Sequence, residues 1–148
     1  MNADLHKSAR CFCLAVDGRP AAFAGVIPRP HPTVRDIRGV SRLVTLPDWQ
    51  GLGLAPRLAD RLGAAYRAAR YRLRTYPAHP ALIRSFDKSP NWKLCRAPGQ
   101  FAKPTGNRLL SRQGVTDGMT VGDIGGRPCA VFEYCGAADS AAAGLVIQ

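Results

Sequence analysis

Long apolar runs are missing from this sequence. No stretch approaches the roughly 20 consecutive apolar residues that a membrane-crossing helix needs, so a helical membrane protein is excluded. The first ten residues are polar and carry no apolar h-region, which argues against a secretory signal and for a cytoplasmic address. Close metal-ligand pairs are missing as well. Neither C-x-x-C nor H-x-x-x-H occurs, and His6, His31 and His79 stand far apart, so no metal site is expected. The five cysteines, Cys11, Cys13, Cys95, Cys129 and Cys135, do not make an even disulfide set; they are expected as small apolar side chains in a reduced interior. Glutamate is almost absent: Glu133 stands against nine Asp, 17 Arg and four Lys.

What is present is a chain of 148 residues that is 46% apolar, enough for one globular domain with its own core. Residues 10–17 alternate as a strand, Asp17-Gly18 is a strong hairpin turn, and residues 21–27 form the partner strand. Residues 28–36 contain three prolines and read as a loop; residues 38–46 make a third strand that stops at Pro47. A glycine-containing loop over residues 47–55 leads into a helix over 56–70, with Leu58, Leu62, Ala65, Tyr66 and Ala69 on one face. Further strands are expected at 71–76, 92–97, 107–112 and 129–135, with a short helix at 80–88. Residues 113–127 are glycine-rich and loop-like, and residues 136–148, mostly Ala, Gly and Ser, read as a weakly ordered tail. The order implies a single α/β (α+β) domain, core about 10–135, with a mixed central β-sheet and flanking helices.

The net charge of +11 is concentrated in the middle. Residues 51–100 hold ten basic and two acidic side chains, whereas residues 101–148 hold four of each. Such a field attracts anions: a phosphorylated cofactor, a nucleic acid or an acidic surface. A strong nucleic-acid signature would interleave aromatics with the charges; Tyr66, Tyr71 and Tyr76 lie nearby, but Tyr66 reads as core.

The most informative stretch is strand, Pro47, then Gln50-Gly51-Leu52-Gly53-Leu54-Ala55, then helix. Glycines let a ligand approach main chain, and a helix start presents free N–H groups and a positive dipole end. Together they make a diphosphate cradle. A dinucleotide fingerprint would need Gly at position 56, where Pro56 stands, and the G-K-S/T of a phosphate-binding P-loop is absent.

Residues 43–63 (LVTLPDWQGLGLAPRLADRLG) resemble the acetyl-CoA-binding motif of the GCN5-related N-acetyltransferase (GNAT) superfamily, with Gln50, Gly53 and Ala55 matching its Q/R-x-x-G-x-G/A. The next family block, Asn then Tyr seven residues on, then Gly-Phe, is met loosely by His79, Phe86 and Trp92, and residues 10–27 resemble the preceding hairpin. The resemblance implies that amides of Gly51, Leu52, Gly53, Leu54 and Ala55 hold the pyrophosphate of acetyl-CoA (CoA). It also implies that Leu43, Val44 and Thr45 splay from the neighbouring strand and pair with pantetheine. Pro56 departs from the pattern by removing one donor. The implied activity is direct transfer of an acetyl group to the amine of an unidentified acceptor.

Such transfer needs a route for the amine proton, stabilisation of the carbonyl oxygen and a proton for the leaving thiolate. Similar enzymes often use a Tyr hydroxyl and a strand Glu. Here Phe86 has no hydroxyl, and Arg35, Arg38 and Arg42 surround Asp36 as the nearest acid. The substitutes are His79, whose pKa range suits a base, Asp36, and Ser85 beside Phe86. His31 and Tyr76 are weaker alternatives, and Glu133 reads as a structural partner of arginine. Two other functions fit the same fold: nucleic-acid modification, through a loose resemblance to phage Mom DNA-modification and mobile-element GNAT-like proteins, and a non-catalytic acyl-CoA-binding module. The abrupt start at LHKSARCF suggests a short or missing N-terminal helical region. Expected partners are acetyl-CoA, the amine acceptor and, from the charge, nucleic acid, but no membrane; a homodimer stays open.

Overall fold

The computed structural model describes residues 7–31, 33–99 and 129–147. Strands β1 (Arg10–Val16) and β2 (Arg19–Pro28) form an antiparallel hairpin. Its turn puts Asp17 at φ 49° and Gly18 at φ 75°, the left-handed pair that a two-residue hairpin turn requires. After the proline loop, β3 (Ile37–Thr45) returns antiparallel to β2. A single 3-10 turn over Pro47–Trp49 precedes α1 (Leu54–Ala68), and β4 (Arg72–Thr75) then runs parallel to β3. Next come α2 (Pro80–Lys88), β5 (Trp92–Arg96) and β6 (Val131–Tyr134). β6 inserts between β4 and β5, antiparallel to both, giving the sheet order β1-β2-β3-β4-β6-β5. This is the expected mixed sheet with flanking helices. The expected strand at 107–112 and the loop at 113–127 lie outside the described residues.

The two helices share one face of the sheet. Leu58, Ala59, Leu62, Ala65 and Tyr66 of α1 are buried against Ala22, Ala24, Val26 and Leu73, while Arg57, Arg61 and Arg67 point to solvent. Phe86 of α2 stacks edge-on against Trp92 at 4.8 Å and lies 5.8 Å from Phe132. Asp60 of α1 accepts the Trp92 indole N–H at 2.6 Å, joining the first turns of α1 to β5. α1 ends in two overlapping turns, Arg70 N–H to the Arg67 carbonyl and Tyr71 N–H to the Tyr66 carbonyl. Arg70 takes the left-handed φ of 63° that glycine normally fills at this position.

Three sequence-based expectations change. The helix begins at Leu54, two residues before Pro56, because proline in a first turn removes no intrahelical hydrogen bond. Four of the five cysteines are exposed, and only Cys129 is buried; Cys11 and Cys13 fall on the face of β1 away from the helices, since Phe12, Leu14 and Val16 occupy the core-facing register. Residues 136–147, read from composition as a weak tail, pack on α1. Asp139 N–H reaches the Ala64 carbonyl at 3.1 Å, its carboxylate meets Arg61 at 3.4 Å, and Ala142 and Val146 are buried. The Val146 carbonyl also accepts from Arg10.

Candidate functional site

β3 and β4 pair over four residues only, Ile37↔Arg72 to Val40↔Thr75. β3 then continues to Thr45, held on its other side by β2. β4 stops, and its chain bends toward β6, where the Pro77 carbonyl accepts from Ala130 N–H at 3.0 Å. The two parallel strands therefore part after Val40. A β-bulge falls at the same place: Val26 pairs with Val40 and Gly25 with Arg42, so Ser41 is the extra residue, and its hydroxyl donates to the Gly25 carbonyl at 3.0 Å. A bulge bends and twists its strand. Here it turns residues 41–45 away from β4. Leu43, Val44 and Thr45, assigned to cofactor pairing from the resemblance, lie on this parted segment.

The glycine turn closes the same end. Gly51 has φ 82° and Gly53, the N-cap of α1, has φ 69°; a Cβ built on either meets no atom within 4 Å. Backbone there is left-handed, and the space in front of it is open. No side chain caps α1, so the amides of Leu54 and Ala55 have no partner within the helix. Both side chains are buried, which turns these residues' contribution into main chain alone. The Gln50 side-chain amide donates to the Thr45 carbonyl at 3.3 Å and ties the turn to the end of β3. Exposed Val44, Leu46 and Leu52 give the surroundings an apolar surface. Free amides at a positive helix end, apolar flanks and an unpaired strand edge together suit a long anionic ligand with an extended, amide-bearing arm.

The catalytic candidates fall in different places. His79 is the N-cap of α2: its Nδ1 accepts the Ala81 N–H at 3.2 Å. In that tautomer Nε2 carries the hydrogen, so the ring offers a donor rather than a base. His79 follows β4 on the parted side, four residues after Thr75. Asp36 sits at the opposite, closed end of β3, about 13 Å from the parting by strand rise. Its main-chain carbonyl accepts Arg72 N–H at 3.0 Å, and its Oδ1 is buried without a hydrogen-bond partner among the described residues. Ser85 is half-buried on α2. His31 holds a local turn, its Nδ1 accepting Thr33 N–H and Val34 N–H at 3.3 and 3.2 Å. The geometry thus brings His79 to the parted end and leaves Asp36 away from it.

Glu133 is the structural partner of arginine that the sequence suggested. Arg72 grips both its oxygens at 2.9 Å, and Arg74 Nε donates at 2.7 Å. Partial burial pushes the Glu133 carboxyl up, but hydrogen bonds from Arg74 and Arg72, with their charges, outweigh this and hold it below the usual carboxylate range. Sequence reasoning missed Arg29. Its side chain leaves the end of β2, crosses β3 at Gly39 and stacks on the Tyr76 ring, 4.6 Å from guanidinium carbon to centroid. The available signal was Gly39 itself, a residue without a side chain in a strand, which marks close approach by another group. Burial raises the Tyr76 phenol above its ordinary value, against the pull of Arg29, Arg74 and Arg96.

A family model described as the acetyltransferase (GNAT) family matches residues 2–88, the region from β1 through α2 that builds the parted strands and the glycine turn. The chain belongs to this family. Solved structures share the fold. An IAA acetyltransferase from Bacillus cereus has TM-score 0.55 at 9% identity, over 86% of this chain and 77% of that one. A Bacillus subtilis acetyltransferase in complex with CoA has TM-score 0.57 at 9% identity, over 86% and 76%. A GNAT family acetyltransferase from Elizabethkingia anophelis with acetyl-CoA bound has TM-score 0.51 at 8% identity, over 86% and 74%. A search of curated protein sequences finds no match.

Proposed function

We propose that this chain is an acetyl-CoA-dependent N-acetyltransferase that passes the acetyl group directly to an acceptor amine. The observation that carries the reading is the parting of β3 from β4 after Val40, beside an uncapped helix start with open space over Gly51 and Gly53. Family membership and the CoA and acetyl-CoA present in the Bacillus subtilis and Elizabethkingia anophelis structures support it. The residues fit the cosubstrate: the amides of residues 51–55 would hold the pyrophosphate, with Pro56 offering none, and the free edge of Leu43 to Thr45 would pair with the pantetheine amides. Acetyl-CoA supplies the activated acetyl carbon. The chain's part is to orient that carbon at the mouth between the strands and to steady the leaving group there. His79, with Nδ1 engaged by α2, is suited to steady the departing thiolate with a hydrogen bond from Nε2–H, the sulfur taking its proton from water; Ser85 is a secondary candidate, and Asp36 is too distant for the same step. Water or the acceptor's own ionisation removes the amine proton. Nucleic acid as acceptor draws on the net charge of +11 alone, and no feature of the parted strands favours it over a small amine.

The test is calorimetric titration with acetyl-CoA, followed by thiol release with an amine panel. Micromolar binding that weakens at least about tenfold in Gly53→Ala, where a Cβ strains the left-handed φ, supports the reading. Absence of binding to folded protein at millimolar acetyl-CoA removes it.

A further inference from the structure

Arg29 lies beside the point where β3 and β4 part. Register fixes its face: Ile27, Gly39, Arg42, Val44 and Arg74 share the side of the sheet away from the helices. Arg29 runs over Gly39, one position before pairing ends at Val40, and its guanidinium comes to rest on Tyr76, the first residue after β4 stops. Its Nε is buried and has no hydrogen-bond partner among the described residues. Among the described residues the guanidinium packs over Gly39 and the Tyr76 ring. A buried donor left unmade carries an uncompensated desolvation cost, one that a structural arginine avoids by finding a carboxylate. The acid on this face, Glu133, is already committed to Arg72 and Arg74. Arg42, one register step past the bulge, adds positive charge on the same side. The stack on Tyr76 fixes the plane of the guanidinium beside the parting, and its terminal nitrogens, Nη1 and Nη2, make no hydrogen bond among the described residues.

We infer that Arg29, braced by Tyr76, is a specificity-determining residue that receives a carboxylate or phosphate on the acceptor, so that the preferred substrate is an amine with an anionic group near it. This rests on the acetyl-transfer reading above. Neutral amines of the same size leave the guanidinium without its counter-charge and are acetylated less well.

The experiment measures kcat/KM with saturating acetyl-CoA for matched acceptors: glycine against glycinamide, and aminoethyl phosphate against ethanolamine. The two pairs separate carboxylate from phosphate. The expected result is a preference of about tenfold or more for at least one anionic member, the effect of one charge-assisted hydrogen bond, carried mainly by KM. In Arg29→Gln that preference collapses. Gly39→Ala is the second variant: its Cβ would lie 2.5 Å from Arg29 Nε, so the flexible side chain is displaced with its charge intact, and the preference collapses again. Equal rates for charged and neutral members, or a preference that survives both variants, overturns the inference. Acetyl-CoA binding by calorimetry without acetylation of either anionic amine also overturns it and leaves the cofactor reading standing; no acetyl-CoA binding at all overturns both.

Discussion

His79 shows how one side chain can divide its atoms between structure and the proposed chemistry. Nδ1 holds the first turn of α2, leaving Nε2–H as a hydrogen-bond donor. Truncation to Ala removes an N-cap and is expected to cost about 1 kcal/mol, whereas Asn restores a capping acceptor. The expected outcome for His79→Asn is a melting temperature within error of the parent and a kcat lower by roughly 10²-fold, read by thermal denaturation and thiol release; an unchanged kcat assigns His79 to the cap alone. Glu133 makes a different case. Its folded pKa is depressed, so its stabilising contribution is present above the unfolded value near 4.5 and fades as pH falls through the lower folded value. Glu133→Gln is expected to destabilise by about 1–3 kcal/mol, discounted for the partial exposure of Arg72, and to flatten denaturation midpoints below pH 4.5. Both residues stood out in the sequence by type. The start of α2 was legible in the helix placed at 80–88, but the capping role of His79 was not, and the pairing of Glu133 with Arg72 and Arg74 was legible only as a chemical need, because it requires β6 to lie beside β4.

At the scale of elements, alternation and proline punctuation located β1 to β4 and both helices to within about two residues, the usual uncertainty of such boundaries. The order of β5 and β6 was not legible: nothing local tells a strand to insert between two others, and that placement comes from Phe132 meeting Phe86 and Thr75. The bulge at Ser41 was hidden for the same reason, being a mismatch between partners rather than a property of either. Helix α1 is seated on β6 by Gly63, where a Cβ would come within 2.3 Å of the Tyr134 ring. Gly63→Ala gains helix propensity of about 1 kcal/mol and meets a ring that cannot fold away. The expected net result is destabilisation by about 1–3 kcal/mol, checked by urea denaturation.

For the molecule as a whole, the resemblance carried by residues 43–63 led to the correct fold because the glycine turn and the strand before it are main-chain features written directly in sequence. Charge was a blunter guide: Arg61, Arg67, Arg72 and Arg74 are spent on Asp139, the carbonyl of Gly136 and Glu133, so a count of basic residues overstates what is left for partners. Composition likewise missed that Val146 completes the core, since burial of one valine in an Ala-Gly-Ser stretch depends on what α1 presents to it. The early separation of the two parallel strands has a readable dynamic consequence. Amides beyond Val40 that point into the gap have no neighbouring strand among the described residues to shield them, so their protons should swap with deuterium quickly, while those turned toward β2 stay protected. Adding acetyl-CoA is expected to slow the first set and leave the second unmoved, an imprint that mass spectrometry of the peptide covering residues 41–45 would record without any knowledge of the acceptor.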